Sequence, residues 1–176
     1  MSTSDAPQLY YIPFDDFVAD VRTVSASIAR DPWRPDFVIG IGRGGLVPAV
    51  FISHQLDLPM LSIDHSSKVP GFADELLGKV AEKSTDGTKL LFIDDINDSG
   101  GTIAYIRQLL AQDGCEAGNL RFAVLMNNRR SRVSVDYWAQ IIDRNEDKRW
   151  FVFPWEAMGT SDTLVEEALS VPERLA

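Results

Sequence analysis

The chain has 176 residues, about the length of one domain, and 45% of them are apolar, enough to build a core. Lys and Arg number 17 against 26 Asp and Glu, a formal charge of −9, which argues against a nucleic-acid binder because such binding neutralises phosphates with basic side chains. No apolar run approaches a membrane span, the single cysteine (Cys115) forbids an intrachain disulfide, and the start MSTSDAPQ lacks signal-peptide features, so a cytoplasmic protein with no membrane partner is expected.

The first nine residues or so are polar and are expected to be disordered. From Phe14 onward, Phe17, Val18, Val21, Val24 and Ile28 recur at helical spacing until Asp31-Pro32 stops the run. Residues 37–41 (FVIGI) form a compact apolar run closed by Gly42, the pattern of a buried strand. Arg43, Gly44 and Gly45 then lead into LVPAVFISHQL, which predicts a helix with Pro48 in its first turn. Residues 60–64 predict a second strand. Residues 65–87 are polar and weakly periodic, which predicts a mobile functional loop or a small hairpin. A strand over 89–93 (KLLFI) follows, then DDINDSGGT and a helix from Thr102 to about Gln112. Strands are predicted over 121–126, 137–142 and 150–153, and a short helix near Thr163 with Glu166 three residues on as a capping box. Strands alternating with helices predict an α/β fold, a mainly parallel sheet covered on both faces, with ligands beyond the carboxyl ends of its strands. Both glycine-rich segments fall at such ends.

The segment 90–102, LLFIDDINDSGGT, carries the most chemistry. Two acids appear where a buried strand leaves the core. Gly100 and Gly101 let the backbone turn and approach a ligand, and Thr102 opens a helix whose N-terminus favours an anion. The result is a phosphate cradle beside polyol-binding carboxylates. It has neither the Gly-Lys-Ser/Thr of a Walker loop nor a G-x-G-x-x-G.

Asp94, Asp95, Asp98, Ser99, Gly100, Gly101 and Thr102 stand in the pattern that resembles the ribose-phosphate signature of type I phosphoribosyltransferases. Residues 42–48 (GRGGLVP) resemble the diphosphate-binding loop of the xanthine–guanine branch, and Asp136-Tyr137-Trp138 with residues 150–156 (WFVFPWE) resembles its base-binding flap. Together these matches span residues 37–156. The resemblance implies one phosphoribosyltransferase domain over 1–176, with a core of about 14–142, a base-binding flap of about 143–176, and a homo-oligomer, dimer or tetramer. It implies a purine phosphoribosyltransferase that displaces diphosphate from Mg²⁺-bound phosphoribosyl diphosphate with a 6-oxopurine: xanthine, guanine or hypoxanthine. Arg43 and Gly44 would hold diphosphate, and Asp94 and Asp95 the ribose hydroxyls, Asp95 also touching Mg²⁺. Ser99, Gly100, Gly101 and Thr102 would hold the 5′-phosphate, and Asp98 would act as general base near N7. Trp150 and Phe151 would meet the purine, with Trp155 structural. A loop from about Ser66 to Thr85 would close over the reaction and bring Lys68, Lys79 or Lys83 to the diphosphate. Two positions depart from the family pattern: Asn128 stands where a Lys donates to the 6-oxo group, and Val152 where a Glu meets the 2-substituent. A regulator that senses phosphoribosyl diphosphate or a nucleotide is the alternative. A phosphatase built on Asp94 and Asp95 lacks the D-x-D spacing.

Overall fold

The structure is a computed structural model that describes residues 6–63 and 72–171. In chain order it contains β1 (Leu9–Tyr11), α1 (Phe14–Arg30), β2 (Phe37–Ile41), α2 (Gly42–Leu56), β3 (Met60–Ile63), α3 (Phe72–Thr85) and β4 (Leu90–Asn97). These are followed by α4 (Gly101–Gln112), β5 (Leu120–Asn128), β6 (Tyr137–Ile142), β7 (Trp150–Val152) and α5 (Ser161–Leu169). Five strands pair in the order β3-β2-β4-β5-β6, every pair parallel. Successive side chains of a strand point to opposite faces, so each continuous apolar run fills two cores at once. Val38, Leu91, Ile93, Ala123 and Leu125 meet α1 and α2 through Phe17, Val21, Val24, Ile28, Ala49 and Ile52. Ile39, Leu90, Phe92, Phe122 and Val124 meet α3 and α4 through Leu77, Val80, Ala81, Ile103, Ile106 and Leu110.

The remaining strands form a second, two-stranded parallel sheet, β1 beside β7, with Leu9 opposite Trp150 and Tyr11 opposite Val152. Leu164 and Ala168 of α5 cover Trp150 and Val152 on one face of it. The other face presents Phe151 to the main core. Glu167 of α5 comes within 3.8 Å of Arg43 in the first turn of α2, at the carboxyl edge of the main sheet.

Four expectations need correction. The amino-terminal segment is not disordered up to Leu9: residues 6–8 are described, and Leu9 already belongs to β1. Residues 72–85 are not a lid or hairpin but helix α3, with Leu77, Val80, Ala81 and Ser84 buried against the sheet. Residues 64–71, including Lys68, lie outside the described residues. Helix α2 starts at Gly42, which places Pro48 in its second turn. The cap of α5 is Thr160, whose Oγ1 accepts from the Thr163 N–H at 3.3 Å.

Candidate active site

Chain order and sheet order diverge between β2 and β4, since β3 lies outside β2 while β5 lies beyond β4. Such a switch point opens a crevice at the carboxyl ends. Two glycine segments line it. At the end of β2, α2 begins so close to β4 that side chains are excluded. A Cβ on Gly44 would sit 2.4 Å from Asp95 Oδ2, and one on Gly45 would sit 2.1 Å from the Ile93 carbonyl oxygen. The first turn of α2 therefore lies directly on the acid pair. Arg43 projects from it with its side chain 89% exposed, 3.8 Å from Glu167 of α5.

At the end of β4, Asp94 and Asp95 lie within the strand and so turn to opposite faces. Asp95 takes the α2 side, against Gly44. Asp94 Oδ1 accepts from the Asp95 N–H at 3.0 Å. Beyond Asn97 the chain turns through Gly100 at φ 85°, and α4 starts at Gly101 with Ser99 Oγ accepting from its N–H. The remaining N–H groups of that first turn are donors of the kind that suit an anion. The loop after β5 braces it: Ser131 Oγ donates to Asn97 Oδ1 at 3.0 Å, and Arg132 donates to the Ser99 carbonyl. Gly100 has no room for a side chain, because a Cβ would meet Ser131 Oγ at 2.7 Å.

Asp98 points the other way, into protein, and is only 5% exposed. Arg144 meets it with a fork: Nε lies 3.1 Å from both carboxylate oxygens and Nη2 lies 2.8 Å from Oδ2. Asn128 donates from Nδ2 to Asp98 Oδ1 and to the Asp98 carbonyl, while its Oδ1 accepts from the backbone N–H groups of Arg130 and Arg144. Those two donors fix the amide's orientation. Asn128 thus serves Asp98 and the end of β5, using the groups that a bound carbonyl would need. Arg129 and Arg130 form ion pairs with Asp143, and Arg130's hydrogen bonds hold that carboxyl below its ordinary range.

Trp150 is buried toward α5, among Val152, Leu164 and Ala168. Phe151 faces the opposite way, beneath the guanidinium of Arg144 at 4.9 Å and edge-on to Tyr10. Trp155 stacks on Phe153 and meets Phe17 edge-on, a core position. Lys83 lies over Phe37, the first residue of β2, and so at the opposite end of the sheet from the crevice.

A phosphoribosyl transferase domain matches residues 14–158. The chain is also 32% identical over 158 residues to the xanthine-guanine phosphoribosyltransferase of Cereibacter sphaeroides, which covers 84% of this chain and 86% of that one. The chain belongs to the phosphoribosyl transferase family. Two solved structures share its fold. One is the xanthine-guanine-hypoxanthine phosphoribosyltransferase of Helicobacter pylori, with a TM-score of 0.64, 19% identity, and coverage of 86% of this chain and 95% of that one. The other is a hypothetical protein from Neisseria gonorrhoeae with bound ppGpp, with a TM-score of 0.66, 18% identity, and coverage of 95% and 97%.

Within this phosphoribosyltransferase, Glu156, read in the sequence only as part of residues 150–156, lies close enough to Asp95 to feel its charge. It lies in the turn after β7, where its Oε2 accepts from the Phe153 N–H at 2.9 Å. Burial, and then the negative charge of Asp95, push its carboxyl up to about 7. Two close carboxylates that resist joint ionisation suit a hard divalent cation, which needs only one or two protein carboxylates when water and substrate oxygens complete its shell. A nearby cavity of about 340 Å³ is lined by Asp16, Asp143, Glu146 and Asp147 with Tyr10 and Phe151. Its acids suit no phosphate, and of the site residues expected from the sequence only Phe151 lines it.

Proposed function

We propose that the chain transfers the 5-phosphoribosyl group from phosphoribosyl diphosphate to a 6-oxopurine and releases diphosphate. The observation that carries this is the crevice itself: the start of α4 after Gly100 and the acid pair on β4, faced by an arginine-bearing glycine turn packed against Asp95. The N–H groups of residues 99–102 would hold the 5′-phosphate, and Asp94 and Asp95 the ribose hydroxyls. Arg43 and the Gly44 backbone would hold the leaving diphosphate. Mg²⁺, held by Asp95 with Glu156, would supply the charge that a polyanionic substrate needs beside these acids. The C1′–O bond breaks with its electron pair leaving on diphosphate, and a base nitrogen forms the new C1′–N bond. The proton of that base passes toward Asp98. The negative charges of Asp94 and Asp95 favour the cationic sugar between these events.

The base would lie against the Trp150–Phe151 segment of β7, with α5 behind Trp150. The names of the relatives favour xanthine, guanine or hypoxanthine as acceptor. Val152 is fully buried in the flap, so its side chain adds no polar contact at the 2-position.

Calorimetry with phosphoribosyl diphosphate tests the first step. Binding is expected with Mg²⁺ and not with a chelator; equal affinity in both would overturn the metal-dependent site. The ppGpp-bound Neisseria neighbour favours a second reading, a nucleotide-binding regulator. Binding without turnover on any base would select it.

A further inference from the structure

Resting on the transferase reading, we infer that Arg144 is a positioning residue for the reaction: it sets the Asp98 carboxylate and fastens it to the base-binding flap. Arg144 follows β6, 46 residues after Asp98, and is itself only 7% exposed. Its guanidinium bridges two parts of the molecule. One edge, Nε and Nη2, grips Asp98 through three contacts of 2.8 to 3.1 Å. Nη1 donates to the Arg149 carbonyl at 2.6 Å, just before β7, and more weakly to the Asp147 carbonyl at 3.4 Å. The planar face lies on the ring of Phe151, and the Arg144 backbone N–H reaches Asn128 Oδ1, the partner that also holds Asp98. A fork is the geometry that fixes a carboxylate in plane as well as in place. With so many of its donors engaged, Arg144 acts on the substrate through Asp98. Any movement of β7 on base binding would thereby be transmitted to the Asp98 carboxylate.

The test is a cycle of four proteins: wild type, Arg144→Gln, Asp98→Asn and the double variant, with Arg144→Lys as the charge-conserving control. Diphosphate release with a 6-oxopurine gives kcat and KM, and thermal melts report folding. Arg144→Gln is expected to lower kcat by about 10²-fold, the scale for a displaced reacting group, with KM for phosphoribosyl diphosphate within about threefold. Arg144→Lys should recover part of the loss, since it restores charge but not the fork. In the Asp98→Asn background, Arg144→Gln should cost less than about threefold more, because residues acting as one unit are not additive. The double variant also has no unpaired buried charge, so it keeps the test open if Arg144→Gln alone folds poorly. Equal losses in both backgrounds would overturn the inference, as would an unchanged kcat in Arg144→Gln or a fall in kcat that merely follows the melting temperature. A wild type that releases no diphosphate with any base would overturn the transferase reading as well, which separates the two failures.

Discussion

The acids and glycines of residues 94–102 were legible in the sequence because one short segment carries strand end, turn and helix start together. Their partners were not. Arg144 reaches Asp98 only through the path of β5 and β6, and no local spacing links the two. Glu156 was visible as part of Pro-Trp-Glu, but its proximity to Asp95 arises from the fold. A clear pH dependence follows from that proximity. Because the folded state raises the Glu156 carboxyl from 4.5 to about 7, the stability tied to its proton is full below about pH 4.5. It is lost as pH rises toward about 7, by on the order of 3 kcal/mol at most. Glu156→Gln should therefore flatten the pH profile of the melting temperature in metal-free protein between pH 5 and 8; an unchanged slope would contradict the assignment. Asp98→Asn should lower kcat by ~10²-fold or more, as loss of a general base does. It should also destabilise by about 3–5 kcal/mol by leaving the Arg144 cation buried without its partner. Kinetics and denaturant unfolding on the same variant check both. A kcat within about threefold of wild type would contradict the general-base role.

At the scale of elements, the strands of the main sheet were the most legible, because four or five apolar residues in a row leave little choice once helices cover both faces. Helix α3 was the main loss. Leu77, Val80, Ala81 and Ser84 do follow helical spacing, but Gly78, Lys79, Glu82 and Lys83 lie between them and a buried serine closes the set. Strand β1 is three residues long, and its identity comes from pairing with β7 rather than from its own pattern. The position of α3 makes it a core helix. Leu77→Ala should cost about 2–5 kcal/mol in denaturant unfolding, the usual cost of deleting a buried leucine's methyl groups. A loss below about 0.5 kcal/mol, the scale of surface substitutions, would instead fit a segment resting loosely on the sheet. Gly45→Ala tests the junction of α2 with β4. Its Cβ would stand 2.1 Å from a backbone carbonyl that cannot rotate away, so the cost should be about 1–3 kcal/mol or more, with loss of diphosphate binding. A fully stable Gly45→Ala variant would mean that α2 starts elsewhere.

At the scale of the whole molecule, one sheet carries at its switch point the residues proposed for sugar, phosphate and diphosphate, and a second, smaller sheet carries those proposed for the base. The first half of that arrangement follows from strand order and could be anticipated from alternating strands and helices. Of the second, residues 143–176 were expected as a flap from the resemblance, but the pairing of β7 with β1 was not, since it joins segments far apart in the chain. Among the described residues no helix is long and apolar enough to cross a membrane, and the family relatives are purine-linked enzymes by name. The central claim is transfer to a 6-oxopurine, and diphosphate release with Mg²⁺ across a panel of bases tests it most directly. The account predicts release that requires both a base and the cation, faster with xanthine, guanine or hypoxanthine than with adenine, orotate or uracil. Release that ignores the base, or faster turnover with adenine or a pyrimidine, would contradict it.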